Sequence, residues 1–472
     1  MNIMLLVLVP LIGSVAAFFV GRARPEAARI VAVGTAVATL GITVAAGIPA
    51  LSAPVTAGTG MTSLRLDGLA LPLVALTSVL GVVAVLASWN ESRQPGAHFA
   101  LLLALQAAVT LVFVADSFVL FYTAWEAVLI PMFFLIGVWG HEDRRHAAMK
   151  FFIYTFAGSA LMLVGLLIVL FTSGVIRISG IGAATLEPGV RTLVFWLLVA
   201  GFAVKVPVFP LHTWLPDAHV EAPTAGSIML AGVLLKMGGY GLLRLALPLA
   251  PEAARTAAPL FAVLGIVGIV YGAVVALAQT DLKRLVAYSS VAHMGFVVLA
   301  IAIGTPLALT AAMLVMVAHG LTAGLLFLLV GQLQERTHTR ALTRLGGLLR
   351  PIPAWGAVFV FASLASLGLP GLAGFPGELA TFLEGFGAYG WWMTIVAVGV
   401  VLAGAYTLRA VRQVGYGDLP DEWSGLADLT MTESLAIAPL ALGIVALGVW
   451  PGLVSGMVAP IAASVSRMLG VG

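Results

Sequence analysis

Residues 201–216 read GFAVKVPVFPLHTWLP. Lys205 sits near the end of an apolar run, and Pro207, Pro210 and Pro216 follow it closely. A proline inside a helix removes a hydrogen bond and clashes with the preceding turn. A buried lysine is costly unless it is partnered or hydrated. The rest of the chain says where this run lies. Of 472 residues, 61% are hydrophobic and only 9% are charged, and the mean hydropathy is +1.10. Soluble domains carry about 25% charged residues. A chain this apolar belongs in a bilayer, where a broken helix persists only if its freed backbone groups meet protein or water. The segment therefore predicts a wet pocket inside a membrane-spanning helix.

Working outward, apolar runs of about 17–25 residues are long enough to span. Fourteen such runs centre on residues 1–20, 28–48, 68–89, 97–115, 117–139, 147–172, 190–215, 222–246, 257–278, 285–304, 306–333, 355–382, 388–410 and 433–456. The first carries Arg22, Arg24 and Arg29 after its apolar stretch. A signal peptide carries its charges before that stretch, so this run is read as a retained span. Loop charge tests the count, because cytoplasmic loops are rich in Lys and Arg. Loops after odd-numbered spans hold fifteen cations, among them Arg144, Arg145, Lys283, Arg284, Arg336, Arg340 and Arg412. The other face holds six: Arg65, Arg177, Arg191, Arg244, Arg255 and Arg467. A miscounted span would scramble this alternation. The expected protein is an all-α polytopic membrane chain, with odd loops in the cytoplasm and both termini on the other side.

Composition also excludes functions. Cysteine is absent, which removes disulfides, thiolate metal sites, iron–sulfur ligation and thioether haem. The net charge of +3 and the lack of any Lys/Arg run give no nucleic-acid surface. The glycine-rich GLPGLAGFPG lacks the G-K-[ST] ending of a phosphate loop. No metal-ligand cluster and no cofactor site is expected in this chain.

Four ionisable residues fall inside spans: Glu126, Lys205, Lys236 and Glu378. A charge at mid-bilayer costs about 2.5–3.5 kcal/mol on insertion scales. Their ordinary reading is structural, as ion pairs pinning helices together. The functional reading is a proton relay. At about 4 Å and an effective dielectric near 20, a carboxylate and an ammonium attract by about 4 kcal/mol. Moving one charge across about 200 mV takes about 4.6 kcal/mol. A switching pair of Glu126 and Lys205 is therefore of the right size. His293 and His319, with Ser289, Ser290 and Thr322 nearby, extend a polar chain between Lys236 and Glu378. His212, Asp217 and His219 are candidates to feed it from the cytoplasmic face.

The seventh span carries VKVPVFPLHTW and the twelfth GLPGLAGFPGELA. Each sets an ionisable residue beside a Phe-Pro step and a second proline. They lie five spans apart, so the second copy crosses in the opposite sense, as in inverted-repeat transporters with broken helices.

Several segments, namely WEAVLIPMFFLIGVWG, KVPVFPLHTWLPDAHVEAPTAGSIMLAGVLLKMGGYGLLR, LKRLVAYSSVAHMGFV, AHGLTAGLLFLLVGQLQERTHTR and GLPGLAGFPGE, resemble the antiporter-like membrane subunits of respiratory complex I, nearest the subunit M branch. The resemblance covers about residues 60–415. It implies two inverted five-helix repeats, at 97–246 and 257–414, after N-terminal helices in 1–96 and before a C-terminal helix in 415–472. It implies a span-5 glutamate (Glu126), lysines in a broken span 7 (Lys205) and in span 8 (Lys236), and a broken span 12. At that last break the sister branches carry lysine, whereas this chain has Glu378. The function implied is proton translocation in an NADH:quinone oxidoreductase of a bacterial inner membrane, with other membrane subunits as partners. Three rivals fit the same residues: a subunit of an Mrp-type cation/proton antiporter, a ferredoxin- or hydrogenase-linked relative, and a structural spacer whose charges only hold helices together.

Overall fold

The computed structural model describes residues 2–471, most of them helical. Thirteen described helices are long and apolar enough to cross a membrane. The longest stretch, Gly374–Gly415, folds back at Gly390–Trp392, where Gly390 has φ +55°, and its two halves pack side by side. Counting the halves separately gives the fourteen passes the charge pattern predicts.

The loops confirm the parity of that count. Loops after odd spans bond to one another: the His141 amide to the Glu221 carbonyl, the Leu282 amide to Arg340, and the Gly347 amide to Tyr416. Loops after even spans do the same, with the Asp116 amide on Ser63 and the Phe118 amide on Ile176. A short antiparallel hairpin, Val55–Ala57 with Leu64–Leu66, lies on the even face.

The core is formed by the eighth, tenth and eleventh spans, Thr224–Leu249, Leu282–Ile303 and Pro306–Thr337, which are almost wholly buried. Outer helices leave large apolar side chains such as Ile130, Phe171, Val401 and Leu442 exposed, as a lipid-facing surface requires.

Both predicted breaks are present. The seventh span is helical over Pro188–Lys205, irregular through 206–213, and helical again over Trp214–Glu221. The twelfth is Pro353–Ser366, then an irregular turn with Gly368 and Gly371 at positive φ, then Gly374–Tyr389. Three interruptions were not predicted. The fifth span divides at Val128, between Phe118–Ala127 and Leu129–Trp139, because Pro131 cannot bond back one turn. The eighth contains two π segments, Leu230–Leu234 and Leu242–Ala246. The stretch 433–456, read as one span, stops at Val449; Pro451 starts a second helix, Gly452–Met468. Its C-terminal end lies beside Gly304 on the even face.

Candidate functional site: a buried row of ionisable groups

The eighth span positions the first member. A π turn changes the backbone ladder from i→i−4 to i→i−5 bonding. Just after the first π segment, the fully buried Lys236 donates from Nζ to the Ala231 carbonyl five residues back. The same Nζ lies 2.6 Å from Nδ1 of His319 on the eleventh span. The His319 ring stands 5.5 Å, centroid to centroid, from the ring of His293 on the tenth. His293 Nδ1 is 2.9 Å from Oε1 of Glu378, and its Nε2 is 3.3 Å from the Ser366 hydroxyl. Lys236, His319, His293 and Glu378 thus form one row across four spans.

A cavity of about 10 Å³ lies along the row, lined in part by Ser289, His293, His319, Thr322, Ser366 and Glu378. That is room for about one water. His319 Nε2 and the Thr322 hydroxyl are buried with no protein partner.

The break in the twelfth span is what brings Glu378 in. Gly368 has φ +76°, and a Cβ there would sit 2.8 Å from Glu378 Oε2. The turn and the carboxylate therefore both require glycine. On its outer side Glu378 also lines an apolar groove of about 360 Å³ with Phe296, Phe375 and Phe382.

Lys205 and Glu126 stand apart from the row. Lys205 is fully buried, and its Nζ has no hydrogen-bond partner. It lies 5.2 Å from the Phe151 ring centroid and 5.8 Å from that of Trp125, where the ring faces attract a cation. No ion pair within 4.0 Å joins it to Glu126 among the described residues, so the two groups form no salt bridge in this conformation. Protein groups fill part of the break. The Val204 carbonyl freed by the break accepts the Trp214 indole N–H at 3.0 Å. The cavity at the break, about 310 Å³, is lined by Trp196, Phe209, Pro210, Phe261 and other apolar groups, and leaves Lys205 out. The break does touch the helix of Lys236: a Cβ on Gly238 would lie 2.6 Å from the Phe202 carbonyl and from Val206.

The loop candidates divide. Asp217 is held by Lys150 at 2.6 Å and Arg284 at 3.4 Å, a structural tie rather than a free acid. His212 sits among the rings of Phe209, Tyr271 and Tyr288. His219 stacks on Phe327 with centroids 4.4 Å apart. All four ring nitrogens of these two histidines lack partners.

One cluster went unread in the sequence. Arg244 holds Asp67 through two contacts of 2.8 and 2.5 Å and donates from Nε to the Tyr240 hydroxyl at 3.1 Å. Burial pushes the Asp67 carboxyl up, but Arg244 and Arg65 outweigh it and hold the group well below the usual carboxylate range. The four-residue spacing of Lys236, Tyr240 and Arg244 was the available signal, since it places all three on one helix face.

Comparison with known proteins agrees with this geometry. Residues 115–403 match the family described as NADH:quinone oxidoreductase/Mrp antiporter, TM. The chain is 43% identical over 411 residues to NADH-quinone oxidoreductase subunit M of Rhodobacter capsulatus, covering 84% of this chain and 80% of that one. It is 45% identical over 403 residues to subunit M of Pseudomonas aeruginosa, covering 82% and 79%. A chain of respiratory complex I from Thermus thermophilus with bound NADH superposes with TM-score 0.91 at 30% identity, over 99% of this chain and 100% of that one. A chain of the Mrp complex from Dietzia sp. DQ12-45-1b shares the fold, with TM-score 0.87 at 18% identity over 99% and 98%. The broken seventh and twelfth spans, the buried row between them and these likenesses agree: the chain belongs to the NADH:quinone oxidoreductase/Mrp antiporter family of membrane subunits.

Proposed function

We propose that this chain is a proton-translocating, antiporter-like subunit of a bacterial NADH:quinone oxidoreductase, acting beside other membrane subunits and carrying no redox cofactor itself. The observation that carries the reading is the row Lys236–His319–His293–Glu378, a set of groups in contact or near contact that each gain and lose protons. Lys236 passes a proton to Nδ1 of His319. The imidazolium then releases its other proton, from Nε2, toward the one-water cavity. His293 and Glu378 receive it, and the hydrogen bond from His293 tunes the carboxylate. Glu378, at a break beside an outward groove, hands the charge on.

Lys205 and Glu126 act on the row rather than in it. Val206 packs against Gly238, two residues from Lys236, so a shift of the break reaches the helix that carries the row. Glu126 sits at the kink of the fifth span, where a charge change in a neighbouring subunit can move it. We assign the odd loops to the cytoplasm on their excess of cations. We also read spans four to eight and nine to thirteen as inverted repeats, each with its break in its fourth helix.

The test is turnover-linked proton uptake in vesicles holding the assembled complex. Lys236→Ala, Lys205→Ala and Glu126→Gln are each expected to abolish it while the subunits still co-purify. Normal uptake in Lys236→Ala would overturn the reading. The same assay without Na⁺ addresses the antiporter alternative: uptake that needs Na⁺ would favour it. Among the described residues no group of three or more His, Asp or Glu is placed to hold a metal ion.

A further inference from the structure

Lys205 ends the first half of the seventh span, and its buried Nζ meets no hydrogen-bond partner among the described residues. Glu126 lies within electrostatic reach of it but outside ion-pair distance, and Glu126 Oε1 is likewise buried and unpartnered. A buried ammonium is costly unless something replaces its water. Here the replacement is aromatic. Nζ stands 5.2 Å from the ring centroid of Phe151, on the sixth span, and 5.8 Å from that of Trp125, on the fifth. Both distances fall inside the range of about 6 Å over which a ring face attracts a cation.

These two rings belong to a supported wall. Phe121, Trp125, Phe151, Phe202 and Trp214 are all fully buried. Trp214 packs on Phe151 with centroids 5.5 Å apart. Phe202 and Phe121 each pack on Trp125 at 5.6 Å. Each ring that faces Nζ is therefore backed by another. Trp214 is fixed in turn by its indole N–H on the Val204 carbonyl, one residue before Lys205. The break thus folds the chain back so that its own tryptophan supports a ring over the lysine. The Trp125 indole N–H has no partner, so no hydrogen bond accounts for the place of that ring.

Trp125 and Glu126 are consecutive on the short half-helix Phe118–Ala127, about 100° apart around its axis. Lys205 faces the ring of the first and forms no ion pair with the second. Its flexible four-carbon stem gives its charge two neighbouring places, against the carboxylate or against the rings.

We propose that the ring faces of Phe151 and Trp125 are the second station of the Lys205 ammonium, occupied when it is released from Glu126. The two rings are positioning residues for translocation: they keep the released charge in its pocket and set how readily it returns. The inference rests on the proposed function and adds what holds Lys205 when its carboxylate does not. The exchange moves a side chain; no bond forms or breaks, and no proton leaves Lys205 in it.

The test grades the ring face without changing its shape. Phe151 is replaced, through a reassigned codon, by mono-, di- and trifluorophenylalanine in the intact complex. Each fluorine draws electron density from the ring face and weakens its hold on a cation. Turnover-linked proton uptake in vesicles is expected to fall stepwise, by about tenfold across the series, with assembly and unfolding temperature unchanged. The same series at Phe202, which backs Trp125 without facing Nζ, is expected to leave uptake unaltered. Trp125→Phe, which keeps a weaker face, is expected to retain more uptake than Trp125→Leu, which has none. A flat series at Phe151, an equal decline at Phe202, or equal uptake in the two Trp125 variants overturns the station and leaves the rings as packing. A flat series with uptake lost in Lys236→Ala overturns the station alone, whereas normal uptake in Lys236→Ala overturns the proposed function.

Discussion

Lys205 and Lys236 are the same side chain in two kinds of burial. Lys236 has a carbonyl and an imidazole within hydrogen-bond reach, so its proton has somewhere to go. Lys205 has two aromatic faces and no hydrogen-bond partner in this conformation. All four in-span charges were legible as anomalies, because each interrupts an apolar run at a known cost. The chain from Lys236 through the two histidines to Glu378 was legible as well, from polar residues at mid-span in successive helices, whereas the part of Ser366 and the separation of Lys205 from the row were not, since they depend on how distant helices pack. Gly368 shows how finely the end of the row is set. Gly368→Ala brings a methyl against Glu378 Oε2 and forces a side chain into positive φ, a strain of about 1–3 kcal/mol. The expected outcome is reduced proton uptake with normal assembly; unchanged uptake would show that the carboxylate position is not critical.

At the scale of elements, the breaks do different work. In the seventh span the prolines end the helix, and the Trp214 indole caps the freed Val204 carbonyl. Trp214→Phe keeps the ring and removes the donor. It is expected to destabilise the purified complex by about 1–3 kcal/mol, read as a lower unfolding temperature. An unchanged unfolding temperature would mean that water already shares that carbonyl. In the twelfth span two positive-φ glycines make the turn, and the result is an open path to a carboxylate. Proline and glycine marked both breaks in the sequence. The π segments of the eighth span had no such mark, because a widened turn comes from tertiary packing and the demand of Lys236 for a carbonyl rather than from any one residue type. The division at Trp450–Pro451 was in the sequence and was read through, since hydropathy continues across it.

At the scale of the whole molecule, loops of equal parity bond to one another, which fixes the number of passes more firmly than hydropathy alone. The Asp67–Arg244 pair ties the segment before the third span to the far end of the eighth, with Asp67 buried and Arg244 mostly so. Asp67→Asn leaves Arg244 unpaired and is expected to cost about 3–5 kcal/mol, whereas the double change Asp67→Leu with Arg244→Met is expected to recover most of it. Because the Asp67 carboxyl is held below its ordinary range, its contribution is full above about pH 4, the unfolded value, and fades only as pH falls further toward the folded one. A thermal-stability profile against pH is therefore expected to lose its steepest acid limb in Asp67→Asn; an unaltered limb would assign that limb to other groups. The sequence by itself determined that this chain spans a membrane, how many times, where two helices break and which charges are out of place. It could do so because bilayer length, the cost of a buried charge and the backbone limits of proline and glycine all act within a single segment. Only the tertiary structure decided that Lys205 stands outside the row, that the Val204 carbonyl at its break takes a tryptophan, and that Ser366 and Gly368 set the far end of the row. Those outcomes depend on distances of a few ångströms between helices far apart in the chain, and no local property of the sequence encodes them.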